Sequence, residues 1–174
     1  GEADTFDVAN LDALDTKEFV FKQRIPREFF ALNADGTGWR RAFDVKEFPS
    51  LGSPVVSPDG KRIAFDGHRA KGDLGGQTML ISDLSGGQLK IVGPGMMPNW
   101  NKEGTELTFS HDGIQIVNIE SQQIRKIGTG WGGQWSPDGK RILSYEGSNI
   151  VAYEVASGDK TVLYDASTGG FQRL

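Results

Sequence analysis

The sequence predicts an all-β fold, a β-propeller of four-stranded antiparallel blades with about four blades in this chain. Three observations predict it: one turn-and-strand string recurs, a second recurs in step with it, and glycine and proline punctuate short apolar runs without a sustained helical period. The 174 residues include 24 glycines and 7 prolines at 37% hydrophobic content, which suits many short strands joined by tight turns.

The first string is Ser57-Pro58-Asp59-Gly60-Lys61-Arg62-Ile63-Ala64-Phe65. It returns as Asn101-Lys102-Glu103-Gly104-Thr105-Glu106-Leu107-Thr108-Phe109 and again as Ser136-Pro137-Asp138-Gly139-Lys140-Arg141-Ile142-Leu143-Ser144. A degenerate copy, Asp15-Thr16-Lys17-Glu18-Phe19-Val20-Phe21, keeps the apolar triplet and loses the turn glycine. Proline presets φ, aspartate bonds the backbone and glycine takes the positive φ that closes a hairpin, so each apolar triplet is a second strand. Gly60, Gly104 and Gly139 are spaced by roughly 44 and 35 residues, near the blade periods of about 40 to 50.

The second string closes a third strand at Leu32-Asn33, Ser82-Asp83, Val117-Asn118 and Tyr153-Glu154. Turns follow, and then outer strands at 39–43, 89–92, 124–127 and 161–164, where apolar and charged residues alternate as on a half-exposed surface. Blades are therefore expected at 5–43, 52–92, 96–127 and 132–164 of a single domain, with 165–174 starting a further, innermost strand. An immunoglobulin-like sandwich has strands of similar length but does not repeat one turn sequence.

The Ser-Pro-Asp-Gly-Lys-Arg-Ile-Ala-Phe string, with Trp100 or Trp135 before two of its copies and Asn33-Ala34-Asp35-Gly36-Thr37-Gly38 after one strand, resembles the TolB-type propeller repeat. The resemblance covers residues 15–164. It departs from the pattern at Thr16, at Lys102-Glu103 and at Val56, which stands where the other copies have tryptophan. It implies a binding scaffold in an exported, periplasmic or secreted setting. Similar blades also occur in propellers attached to prolyl oligopeptidase-like hydrolases and in a metal-dependent pectate-degrading lyase. Propellers of this family have about six blades, within the general range of about four to eight. The chain is therefore expected to be a piece of a longer propeller, a compact four-bladed ring, or a half that self-associates through open blade edges.

Composition narrows the partners. Nineteen basic and 23 acidic residues give a net charge of −4 with interleaved signs, so the clustered positive surface of a nucleic-acid binder is missing. No run approaches the roughly 18 apolar residues of a membrane helix. The polar start Gly1-Glu2-Ala3-Asp4 is not that of a retained signal peptide. Without cysteine there is no thiol catalysis and no disulfide.

Candidate site residues fall on the blade face that carries the loops between strands two and three together with the blade-to-blade connections. The longest such loop, 66–77, holds His68, Arg69, Lys71 and Asp73. His111 is expected in the equivalent loop of the next blade. As metal ligands the two histidines would need a third partner such as Asp73 or Asp112, and no spacing here is diagnostic; no metal or cofactor is assigned. Met96, Met97 and Trp131 are expected in the connections. They form either an apolar patch ringed by Lys22, Arg24, Arg69 and Lys71, or packing between blades. Trp100 and Trp135 recur with the repeat and are expected in the core. The glycine-rich 128–133 stretch lacks the lysine and helix of a phosphate loop, and no Gly-x-Ser-x-Gly elbow surrounds Ser110 or Ser167. No catalytic residue is assigned. The expected function is non-catalytic binding of a protein or peptide through the loop face or central channel; the alternatives are an accessory propeller of a larger hydrolase and a metal-dependent carbohydrate lyase.

Overall fold

The computed structural model describes residues 29–33, 35–69 and 76–168, together with the backbone of 170–171. Every regular element among them is a strand. The degenerate first repeat copy, Lys22, Arg24, Lys71 and Asp73 lie outside the described residues.

The strands pair with their neighbours in sequence. Strands β1 (Phe29–Ala31) and β2 (Arg40–Phe43) form one antiparallel pair. They stand where the third and fourth strands of the first repeat are expected. The second sheet is β3 (Ser50–Val56), β4 (Arg62–His68), β5 (Thr78–Asp83) and β6 (Lys90–Pro94), in that order. The third is β7 (Met96–Trp100), β8 (Glu106–Ser110), β9 (Ile114–Asn118) and β10 (Ile124–Gly128). The fourth is β11 (Trp131–Trp135), β12 (Arg141–Glu146), β13 (Asn149–Glu154), β14 (Lys160–Asp165) and β15 (Gly170–Phe171). Each full sheet thus meanders from an innermost to an outer strand. The fifth strand differs from expectation. Gly170–Phe171 pairs with Tyr164 and Asp165 and extends the outer edge of the fourth sheet instead of starting a new innermost strand.

The recurrent turn explains why the repeat survives substitution. The Ser57 hydroxyl donates to Asp59 Oδ1 at 2.5 Å and accepts the Arg62 amide at 3.0 Å, while Gly60 closes the turn at φ +70°. Ser136, Asp138, Arg141 and Gly139 repeat this arrangement, with a hydroxyl-to-carboxylate distance of 2.6 Å, an amide contact of 3.0 Å and φ +73°. In the third sheet one residue does both jobs. Asn101 Oδ1 accepts the amides of Thr105 and Glu106 at 2.8 and 3.0 Å, so Lys102 and Glu103 can replace proline and aspartate without opening the turn.

The core lies between sheets. Phe29 and Phe43 of the first sheet meet Leu51, Ile63, Phe65 and Leu80 of the second. Ala64, Met79 and Ile81 on the opposite side of the second sheet meet Trp100, Leu107, Phe109 and Val117 of the third. Ile114 and Ile116 then meet Ile142, with Trp135 and Val155 packed alongside. Middle strands are buried on both faces, which accounts for the near-continuous apolar run of β4, whereas β10 exposes its first three residues.

Directed hydrogen bonds reinforce each interface. Trp100 Nε1 donates to Val55 O at 3.2 Å, beneath the Arg62 guanidinium, which lies 4.8 Å from the ring centroid and donates to Gly104 O at 2.8 Å. From the outer strands, Lys90 Nζ donates to Ile119 O and Arg125 Nη1 to Val155 O, both at 3.0 Å and at the same repeat position.

Candidate apolar notch at the innermost strands

The innermost strands share a defect that shapes the candidate site. In β3, β7 and β11 the pairing slips between Gly52 and Val55, between Met96 and Asn99, and between Trp131 and Gln134. The residue inside each bulge has positive φ: Ser53 at +48°, Met97 at +56° and Gly132 at +66°. Pro54 and Pro98 follow in two of the copies, where the ladder needs no amide donor.

The sheet before the bulge anchors it in β7 and β11. Met97 donates its amide to Asp66 Oδ2 at 3.1 Å, and Gly132 donates its amide to Ser110 Oγ at 2.9 Å. Asp66 and Ser110 occupy one repeat position on β4 and β8 and are both buried. Gln77 Nε2 reaches the second carboxylate oxygen of Asp66 at 3.4 Å. Thr108 Oγ1 adds a buried bond to Gly133 O at 2.8 Å. The bulges are therefore part of the blade-to-blade joint.

These placements correct the expectation that Met96, Met97 and Trp131 occupy connections. They open the innermost strands: Met96 pairs with Ser110 and Trp131 with Tyr145. The connections shrink to Gly95 and to residues 129–130. Glycine is required there, because a Cβ on Gly95 would lie 2.6 Å from the Phe109 ring and one on Gly130 would lie 2.0 Å from Ser144 Oγ.

The Met97 thioether and the Tyr145 ring approach Gly132 from two sides. A Cβ at Gly132 would sit 3.9 Å from Met97 Sδ and 3.6 Å from Tyr145 Cδ2. Trp131 precedes Gly132 and pairs with Tyr145, so three large side chains surround a position without one, and this is the candidate notch. Met97 is 37% exposed, Trp131 44% and Tyr145 62%, whereas Met96 is half-buried. The side chains on which this surface depends are thus open to solvent.

The other expected residues do not join it. His68 closes β4 and pairs with Ser50, half-buried. His111 is exposed in the tight turn between β8 and β9, where its amide donates to Gly113 O at 2.9 Å. Aligning Phe65 with Phe109 puts Gly67, not His68, opposite His111, so the two histidines are one register position apart and not equivalent. Among the described residues no three His, Cys, Asp or Glu groups gather as a metal site. Asp112 instead pairs with Lys126 at 3.4 Å. The Arg69 guanidinium lies 5.5 Å from the Phe48 ring centroid, a cation–π contact.

Beside the fourth innermost strand, Glu146 bonds Lys160 Nζ at 2.6 Å and the Thr129 hydroxyl. The Lys160 ammonium and then the Thr129 hydroxyl hold the Glu146 carboxyl below its ordinary value, and the carboxylate raises Lys160 in return.

Asp66, Ser110, Gly132 and Tyr145 were missed in the sequence. Asp66 was visible as a lone carboxylate at the end of an apolar triplet, and Tyr145 as a large ring at a position otherwise held by aspartate and serine.

No family model matches the chain. Solved structures do. TolB from Acinetobacter baumannii aligns over 77% of this chain and 36% of its own length, with 20% identity and a TM-score of 0.61. The nidogen/laminin complex gives a TM-score of 0.63 at 12% identity, covering 82% of this chain and 57% of that one. The β-propeller domain of the Trilobed protease from Pyrococcus furiosus gives 0.54 at 15% identity, covering 65% and 42%. The fold is a β-propeller. Its architecture is that of the TolB propeller and the other propellers it aligns with, and the chain spans less than two thirds of the length of each of these proteins. Other propeller neighbours include an acylaminoacyl peptidase and an oligogalacturonate lyase in complex with manganese, both below 25% identity, so these likenesses extend to the fold alone.

Proposed function

We propose that this chain is a non-catalytic propeller scaffold that receives a protein or peptide at the end of the innermost strands, in an exported setting. The observation that supports it most is the notch over Gly132, whose apolar walls are exposed although the backbone beneath is fixed by Ser110 and Asp66. A rigid backbone with exposed methionine and aromatic side chains suits association, because little conformational entropy is lost when a partner covers it. An extended segment entering the notch would place one apolar side chain between Met97 and Tyr145, with Trp131 along its flank.

The test uses short extended peptides that vary at one central position, with affinity followed through Trp fluorescence. Peptides with a central aliphatic or aromatic residue are expected to bind, and Trp131→Ala to weaken them about tenfold. His111→Ala is expected to leave binding unchanged. Equal binding by wild type and the Trp131→Ala variant would refute this site. Unsaturated product released from oligogalacturonate in the presence of manganese would instead establish a lyase, the chemistry of one structural neighbour.

A further inference from the structure

The joint between the second and third blades is tied by an arginine that the next joint lacks. The Arg62 guanidinium lies 4.8 Å from the Trp100 ring centroid and donates through Nη2 to Gly104 O at 2.8 Å, bridging from β4 to the first turn of the following blade. Trp135 and Gly139 repeat Trp100 and Gly104, but the residue at the position of Arg62 is Glu106. A carboxylate can neither donate to the Gly139 carbonyl nor stack as a cation on Trp135. Among the described residues no cation lies over the Trp135 ring, and its Nε1 is buried without a partner. Lys102 crosses this joint instead, its ammonium 3.4 Å from Asp138 O. Beside Glu106 a cavity of about 390 Å³ opens on the third blade, walled by Ile116, Asn118, Gln123, Ile124 and Arg125.

We propose that this cavity binds a guanidinium group from outside the chain, carried by an arginine side chain of a polypeptide or by free arginine. The half-buried Glu106 carboxylate is the anchor. Among the described residues it has neither a hydrogen-bond nor an ion-pair partner, so both oxygens are open to a bidentate guanidinium. The Gln123 side chain adds a neutral acceptor, and Ile116 and Ile124 offer apolar surface to the methylene stem of an arginine. Arg125, the cation in the wall, already donates to Val155 O at 3.0 Å. Its counterpart Lys90 makes the same bond to Ile119 O in the joint that accommodates Arg62, so a cation at this outer position is compatible with a guanidinium further in. Glu106 and Ser110 are opposite ends of β8, so this site is separate from the notch and does not depend on it.

The test titrates N-acetylarginine amide into the full-length protein and follows the side-chain amide resonances of Gln123. Saturable shifts with a Kd of about 1 mM are expected. The neutral N-acetylcitrulline amide, of nearly the same shape, is expected to bind at least about tenfold more weakly. Glu106→Gln removes the charge but keeps the backbone amide bond to Asn101, so it is expected to retain strand circular dichroism and to lose at least about tenfold in affinity for the arginine probe. Glu106→Arg places the guanidinium in the chain itself and is expected to abolish probe binding and to raise the urea midpoint above that of Glu106→Gln. Absence of saturable shifts, equal binding of the citrulline probe, or full affinity in the Glu106→Gln variant overturns the inference. Free arginine separates the two sources: tighter binding than the capped probe assigns the free amino acid, whose carboxylate then meets Arg125, and weaker binding assigns an arginine within a polypeptide.

Discussion

Met97 holds a φ of +56° in a strand, a conformation that side chains other than glycine's adopt only at a cost of about 1 kcal/mol or more. The fourth blade has Gly132 at the same position with φ +66°, so the backbone itself demands this conformation. Methionine persists where glycine would relieve the strain, and its thioether forms one wall of the notch. Met97→Gly is accordingly expected to raise unfolding stability by up to about 1 kcal/mol while weakening peptide binding. Gly132→Ala has room for its methyl, with 3.6 Å to the nearest ring atom, and is expected to cost about 1 kcal/mol through backbone conformation alone. Urea unfolding of both variants measures this, and the opposite pair of signs would show that the bulge is not strained. At this scale the sequence marked Met97 and Trp131 as unusual but placed them in connections. Whether a residue belongs to a strand end or a link depends on its partner on the adjacent strand, here Ser110 for Met96 and Tyr145 for Trp131, beyond the reach of the local pattern.

Among the elements, the hairpin turns carry the most regular chemistry. Asp59 and Asp138 are held below the ordinary carboxylate range, first by the hydroxyls of Ser57 and Ser136 and then by the amides of Lys61 and Lys140. Asp83 and Asp165 are lowered in the same way by Ser85 and Ser167. A carboxylate lowered in the folded state stabilises it above the ordinary pKa, and that contribution disappears as pH falls through the lowered value. The urea midpoint is therefore expected to be flat near neutrality and to fall below about pH 4. Ser136→Ala removes both the carboxylate contact and the acceptor for Arg141, at an expected cost of about 1–2 kcal/mol near neutral pH. The difference between variant and wild type should narrow as Asp138 protonates; an acid-independent difference would show that the turn is held by its glycine alone. These turns were fully legible, because each uses residues within five positions of one another. The histidines were not. His68 was expected in a loop but ends β4, whereas His111 lies in the turn, and a shift of one residue along a strand sends a side chain to the opposite face.

Across the whole molecule, stability resides in the seams between blades. Ile142 is fully buried against Ile114 and Ile116 of the preceding blade. Ile142→Ala is expected to cost about 3 kcal/mol by cavity formation. Each described blade packs only on its sequence neighbours in these clusters, so the loss should be uneven. Amide exchange should accelerate in the third and fourth blades while β4 and β5 keep their protection. Uniform acceleration would mean that the blades unfold as one unit.

By itself the sequence determined the all-β class, the four-strand repeat, the turns and the recurrent core tryptophans, because each is written in local spacing that recurs and can be aligned with itself. Only the tertiary structure decided which residues form the notch and which buried acceptors hold its bulges. Those properties arise where one blade meets the next, between groups some twenty to forty residues apart whose contact no local pattern records.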